Sequence, residues 1–167
     1  MGGIAIFAAL LLLTAAGGSF TVDSLVMLTV TFLFGLIGFL DDYIKVSKKH
    51  NLGLRAWQKL VLQILFAVGL AVYMAEFSGY GTDVWVPIID RYVDFGWMYI
   101  PFVAFVVVAM ANAVNLTDGL DGLSSGVTAL VAFFFGIVAI QFGHSSSMIF
   151  CGALTGACLG FLVFNKF

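Results

Sequence analysis

A chain of 167 residues that is 62% hydrophobic and 10% charged, with a mean hydropathy of +1.13, lies far outside the range of soluble domains. It reads as an integral membrane protein, which excludes a water-soluble enzyme, and no nucleic-acid partner is expected. The net charge of -2 decides nothing by itself, so the placement of the few charges carries the argument.

The N-terminal stretch "MGGIAIFAALLLL" has no basic leader region and no small-residue cleavage site, so it reads as membrane span and not as signal peptide. A bilayer is crossed by about 20 apolar residues. Six segments qualify, at 2–18, 24–40, 58–77, 98–116, 125–142 and 147–164. The first is short, and its remainder could precede Met1. The expected fold is an all-α, polytopic transmembrane helix bundle forming a single domain over 1–167. Eighteen Phe and 19 Gly suit that class, since large apolar residues face lipid and small ones let helices approach.

Successive spans alternate sides, so the connections at 41–57 and 117–124 share one face. Lys45, Lys48, Lys49, Arg55 and Lys59 fall at or beside the first of these, Lys166 ends a span on the same face, and Arg91 lies opposite. The positive-inside rule makes that face cytoplasmic. Asp23, Glu76, Asp83, Asp90 and Asp94 belong to the opposite connections. The cytoplasmic acids are Asp41, Asp42, Asp118 and Asp121, and each belongs to a short motif at the mouth of a span.

In "GFLDDYIK" the pair Asp41–Asp42 ends a span, and Lys45 is within side-chain reach of both. A hydrated helix end with a local ion pair would explain this much. Further along, the 78–97 connection carries Trp85, Tyr92 and Trp97 among Val and Ile, broken by Pro87. A short outer-face hairpin near 82–97 is expected there, its aromatics anchoring at the interface.

In "NLTDGLDGL", Asn115, Asp118 and Asp121 recur every three residues, spreading over roughly 120° of a helix. Gly119 and Gly122 disfavour a regular helix and allow backbone to approach a ligand. A polar turn explains the Gly and Asp but not the repeated Asp-Gly-Leu, nor an Asn one turn earlier at membrane depth. Acids beside basic residues suit a magnesium ion with a phosphorylated substrate: the metal commonly takes one or two carboxylates plus phosphate oxygens, and lysines add positive charge. Cys151 and Cys158, seven apart on one helix face, are too far apart for a disulfide and read as small packing residues. His50 and His144 receive no catalytic role.

The stretches "FGLIGFLDDYIKVSKKHNLGLRAWQK" and "NAVNLTDGLDGLSSG" resemble the phospho-N-acetylmuramoyl-pentapeptide-transferase family, within the polyprenyl-phosphate N-acetylhexosamine-1-phosphate transferase superfamily. "MGG" looks like the end of the family's Pro-Thr-Met-Gly-Gly motif, and "GFLVFN" like the approach to its Phe-Met-Gly-Asp motif. The resemblance implies a piece from the middle of a ten-span architecture, without the Phe-Met-Gly-Asp aspartate and inactive alone. The implied reaction is transfer of phospho-MurNAc-pentapeptide from UDP-MurNAc-pentapeptide to undecaprenyl phosphate. It yields lipid I and UMP, requires Mg2+, and takes place in the bacterial inner membrane.

By the same resemblance Asp41, Asp42 and Asp118 would be catalytic, one of the aspartate pair acting on or positioning the lipid phosphate. Asn115, Asp118 and Asp121 would line the nucleoside and diphosphate site, with Gly119 and Leu120 giving backbone and apolar contact. Lys45, Lys48 and Lys49 would bind phosphate. Asp118 and Asp42 would contribute to the metal site, whose main aspartate lies outside this sequence. The partners implied are the two substrates and the bilayer, and the protein could pair with a second copy.

Two other readings compete. A sister transferase moving N-acetylglucosamine-1-phosphate to a polyprenyl phosphate shares fold and metal, and "KKHNLGL" argues for the muramoyl substrate. A transporter subunit would place acids near mid-span, whereas these cluster at span ends beside basic residues.

Overall fold

A computed structural model describes residues 2–17, 21–48 and 53–165. Among these residues six α-helices follow one another: α1 (Gly2–Ala16), α2 (Val22–Lys48), α3 (Ala56–Glu76), α4 (Tyr99–Thr117), α5 (Leu123–Gln141) and α6 (Ser145–Phe164). Helices α2 to α6 are long and apolar enough to cross a bilayer, while α1 is a shorter apolar helix. Its 15 residues reach about 22 Å at 1.5 Å per residue, less than the roughly 30 Å hydrocarbon core. The protein is a polytopic membrane bundle, as its composition implies.

Packing follows the rule for lipid and inverts the rule for water. Ala67, Ala71, Ala104, Ala129, Ala132, Ala139, Ala153 and Ala157 are buried, while Phe105, Leu130, Phe133, Phe134 and Val163 stand exposed on the helix exteriors. With hydrocarbon outside, large side chains gain little by turning inward, and small ones let helix backbones close up. The buried cluster is accordingly thin: Leu10, Leu28 and Ala153, with Phe150 and Leu154 against them. Helix α5 packs chiefly on α6, α3 on α4, and α1 on α6.

Cross-helix contacts fix which ends lie together. Thr21 and Ser146 share a 2.7 Å hydroxyl contact, Tyr73 Oη donates to Asp23 Oδ1 at 3.4 Å, and the Tyr80 and His144 rings meet at 6.0 Å. The starts of α2 and α6 and the end of α3 therefore share one end of the bundle. The hairpin expected near 82–97 belongs to this end, since it follows α3 and leads into α4. Its strands β1 (Asp83–Val86) and β2 (Arg91–Asp94) pair antiparallel, with Trp85 opposite Tyr92. Asp94 closes its base, accepting from Thr82 Oγ1 at 2.5 Å and from the Gly96 N–H at 2.8 Å. The end of α2, the start of α3 and the end of α4 form the opposite, aspartate-bearing end.

Candidate functional site

Helix α2 does not stop at the aspartate pair. It continues two turns beyond Leu40 to Lys48, so the aspartate pair expected at the end of a span sits on continuous helix. Nothing in "DDYIKVSK" breaks a helix, and Lys45, three and four residues on, rewards continuation. Its Nζ lies 2.6 Å from Asp41 Oδ2 and 3.7 Å from Asp42 Oδ1.

Adjacent helical positions point about 100° apart, and the two aspartates differ accordingly. The Asp41 side chain is 15% exposed and that of Asp42 57%. Asp41 turns toward the segment entering α3, where its Oδ1 accepts the Leu54 N–H at 2.8 Å. Gly53 passes so close to Asp41 that a Cβ there would overlap Oδ1 and sit 2.8 Å from the Asp41 carbonyl oxygen. The Gly of "NLGL" is thus a requirement of close approach. Asp41 holds the return of the chain, and Asp42 remains open.

Helix α3 begins with the Arg55 N–H donating to Gln58 Oε1 at 3.0 Å. One turn further, Lys59 reaches across to α4, where its Nζ donates to Asn115 Oδ1 at 3.1 Å. The start of α3 thus touches both acidic motifs, Asp41 through the Leu54 N–H and Asn115 through Lys59. Sequence reasoning counted Lys59 only as positive-inside charge and left it out of the substrate-binding set. The available signal is spacing: Lys59 and Gln63 are four apart on one face of a largely apolar helix, and both meet Asn side chains of α4.

Asn115 lies on α4, but the helix ends at Thr117, whose hydroxyl donates back to the Ala113 and Val114 carbonyls. Asp118 follows at φ −80°, ψ 36°, and residues 118–122 form turns closed by the Leu123 N–H on the Leu120 carbonyl at 3.1 Å. The expected helical fan of Asn115, Asp118 and Asp121 is therefore not realised, because the chain leaves the helix between the first and second of them. Of the two glycines, Gly122 carries the conformational demand, at φ 77°. Gly119 has negative φ and open space around it.

Asn115, Asp118, Gly119, Leu120 and Asp121 are all exposed, and Leu116 and Leu120 present 83% and 70% of their surface. The ion pairs among the described residues are the two made by Lys45, so Asp118 and Asp121 carry unpaired charge there. The four acids do not converge: among the described residues no three His, Cys, Asp or Glu side chains could together hold a metal ion. The donor set fits magnesium only as separate carboxylates, Asp42 and Asp118 each able to offer one hard oxygen ligand. The side chain of Lys48, and Lys49 and His50 entirely, lie outside the described residues. Lys45, expected on phosphate, is engaged by Asp41. His144 sits at the hairpin end, and Cys151 and Cys158 are free thiols within α6.

The arrangement offers exposed carboxylates and a lysine-bridged amide at the membrane mouth of α2, α3 and α4. Such a surface can hold a cation and an anionic headgroup together.

Residues 24–167 match the family model described as glycosyl transferase family 4. Among curated proteins the chain is 49% identical to a phospho-N-acetylmuramoyl-pentapeptide-transferase of Caldicellulosiruptor bescii, covering 83% of this chain and 42% of that protein. It is 44% identical to a protein of that name from Clostridium botulinum, covering 100% and 51%, and 42% identical to one from Clostridioides difficile, covering 100% and 52%. The chain spans about half the length of the curated relatives it matches.

Proposed function

The chain belongs to glycosyl transferase family 4, and from that premise we propose that it takes part in transferring phospho-MurNAc-pentapeptide from UDP-MurNAc-pentapeptide to undecaprenyl phosphate, giving lipid I and UMP. Two bonds together support this reading: Lys59 on α3 holds Asn115 of the "NLTDGLDGL" segment, and Leu54, five residues before Lys59, holds Asp41, so the two acidic segments flank the start of α3 at one end of the bundle. An acceptor carried by the bilayer and a water-borne nucleotide could meet at that end.

In such a transfer an acceptor phosphate oxygen forms a bond to the sugar-bearing phosphorus, and the bond to UMP breaks. The protein's part is mainly alignment and charge neutralisation. Asp42, exposed beside Lys45, would face the acceptor phosphate. Asp118 and Asp121, with Asn115, would line the nucleotide diphosphate, Gly119 and Leu120 flanking it. Lys59, already bonded to Asn115, would supply positive charge to the diphosphate, with Lys45, Lys48 and Lys49 adding to the field around it. Asp42 and Asp118 would each offer a carboxylate oxygen to magnesium, which when bound would supply positive charge at the diphosphate. The excess of Lys and Arg at this end supports a bacterial cytoplasmic membrane location with the site facing the cytoplasm.

The reading is tested by exchanging residues 1–167 for the matching half of the Clostridium botulinum relative and assaying membranes with undecaprenyl phosphate, Mg2+ and either UDP sugar. Lipid I made from UDP-MurNAc-pentapeptide is the expected outcome. Turnover of UDP-N-acetylglucosamine in its place would assign the sister reaction.

A further inference from the structure

Two side-chain hydrogen bonds cross between α3 and α4. One is Lys59–Asn115 at the mouth. The other lies a turn deeper, where Asn112 Nδ2 donates to Gln63 Oε1 at 2.8 Å. The Asn112 amide also donates to the Val108 carbonyl at 2.8 Å, so both of its N–H bonds are used and its orientation is set. Gln63 is 4% exposed and is followed by a run of apolar residues to Val72.

The other buried residues of α3 are small, and α4 buries Ala104 beside the larger Tyr99. Gln63, Ala67 and Ala71 follow one another at four-residue spacing as the buried residues of α3, and Ala104 is buried on α4, two such steps before Asn112. Alanine methyls bring helix axes together but have no direction, so one helix could slide or turn against the other at little cost. A buried amide pair is directional. Displacing it leaves donor and acceptor unmet in a medium that offers no water. On α3, Gln63 stands one turn after Lys59, and on α4 Asn112 stands three residues before Asn115. The deeper bond therefore fixes the register in which the outer pair meets.

We propose that Gln63 and Asn112 are positioning residues: their bond sets the register of α3 against α4 that delivers Lys59 to Asn115 at the mouth. The register claim stands on geometry, and its consequence for nucleotide binding rests on the transferase reading above.

The test separates the two. In this chain, with Cys151→Ala and Cys158→Ala to clear native thiols, Lys59→Cys and Asn115→Cys are joined by a short bifunctional thiol reagent in membranes. Adding Gln63→Leu with Asn112→Leu replaces both partners by apolar groups of similar size, which keeps stability close to that of the parent. Cross-linking should nevertheless fall about fivefold, the population factor carried by one buried hydrogen bond. The exchanged pair Gln63→Asn with Asn112→Gln keeps the bond and should restore cross-linking. It also decides the matter if the double leucine variant fails to fold. Parental cross-linking in the folded double leucine variant would overturn the proposal, as would failure of the folded exchanged pair to restore it.

In the chimera, with Lys59 and Asn115 intact, the double leucine variant should raise KM for the UDP substrate about fivefold and leave kcat within about twofold. The exchanged pair should reverse the change. Lost cross-linking with unchanged KM would contradict the nucleotide role and leave the register claim standing.

Discussion

The Leu54 N–H donates to Asp41 Oδ1 at 2.8 Å, although the two residues stand 13 apart on either side of the α2–α3 connection. This bond divides the aspartate pair into a residue that secures the chain and one that faces outward. Replacing Asp41 with Ala should destabilise the protein by about 1–3 kcal/mol, since an amide loses a charged acceptor and Lys45 its partner. Asp42→Ala should leave the unfolding midpoint in detergent unchanged. Equal midpoints for the two variants would show that the pair is not divided in this way.

Gly53→Ala should be costly and Gly119→Ala silent. At Gly53 a Cβ runs into Asp41, whereas at Gly119 it meets open space. Overpacking of this kind typically costs about 1–3 kcal/mol. Gly122→Ala should cost about 1–2 kcal/mol for a different reason, its φ of 77°. The three variants are ranked by thermal unfolding, and a silent Gly53→Ala would remove the close contact with Asp41.

The spans and the hairpin were legible because each leaves a local signature: about 20 apolar residues for a helix, and Trp and Tyr with Val around Pro87 for the strands. The interior of the site was not legible. Lys59 and Asn115 are 56 apart in sequence, Gln63 and Asn112 49 apart, and no periodicity within a window connects them. How far α2 continues past Asp41 and Asp42 has no hydropathy signal, because charge marks the end of the apolar stretch and not of the helix. A helix can leave the bilayer without ending, and Lys45 makes that continuation favourable. The spacing of Asn115, Asp118 and Asp121 suggests a helix face, but α4 ends at Thr117 and the chain turns through Asp118 to Gly122, whose φ is 77°.

The two ends of the bundle should be separated by the membrane. A cysteine introduced at Ser47 should be labelled by an impermeant reagent only from the cytoplasmic side, and one at Gly81 only from outside. The charge count sets the orientation, and the contacts Tyr73–Asp23 and Lys59–Asn115 place the two positions at opposite ends. Reversed labelling would remove the aspartate end from contact with a cytosolic nucleotide.

The hairpin should loosen in acid. Hydrogen bonds from Thr82 and the Gly96 N–H hold the Asp94 carboxyl below its ordinary value of 3.8. A carboxylate whose pKa is depressed on folding adds stability that is fully present above the unfolded value. That stability is lost as pH falls through the folded one. Emission from Trp85 and Trp97 should therefore shift as pH drops below about 4, and Asp94→Asn should flatten the transition. An unchanged transition in Asp94→Asn would assign the acid response to another group.

The most direct test of the site is Asp118→Asn in the chimera with the Clostridium botulinum half, measured as UMP released with UDP-MurNAc-pentapeptide, undecaprenyl phosphate and Mg2+. Asp118 is exposed and, among the described residues, makes no ion pair, so folding should be unaffected by the change. Turnover should fall more than about 100-fold, the scale of losing one preorganised electrostatic group. Near-parental UMP release from a folded Asp118→Asn chimera would contradict the placement of the reaction at this mouth of the bundle.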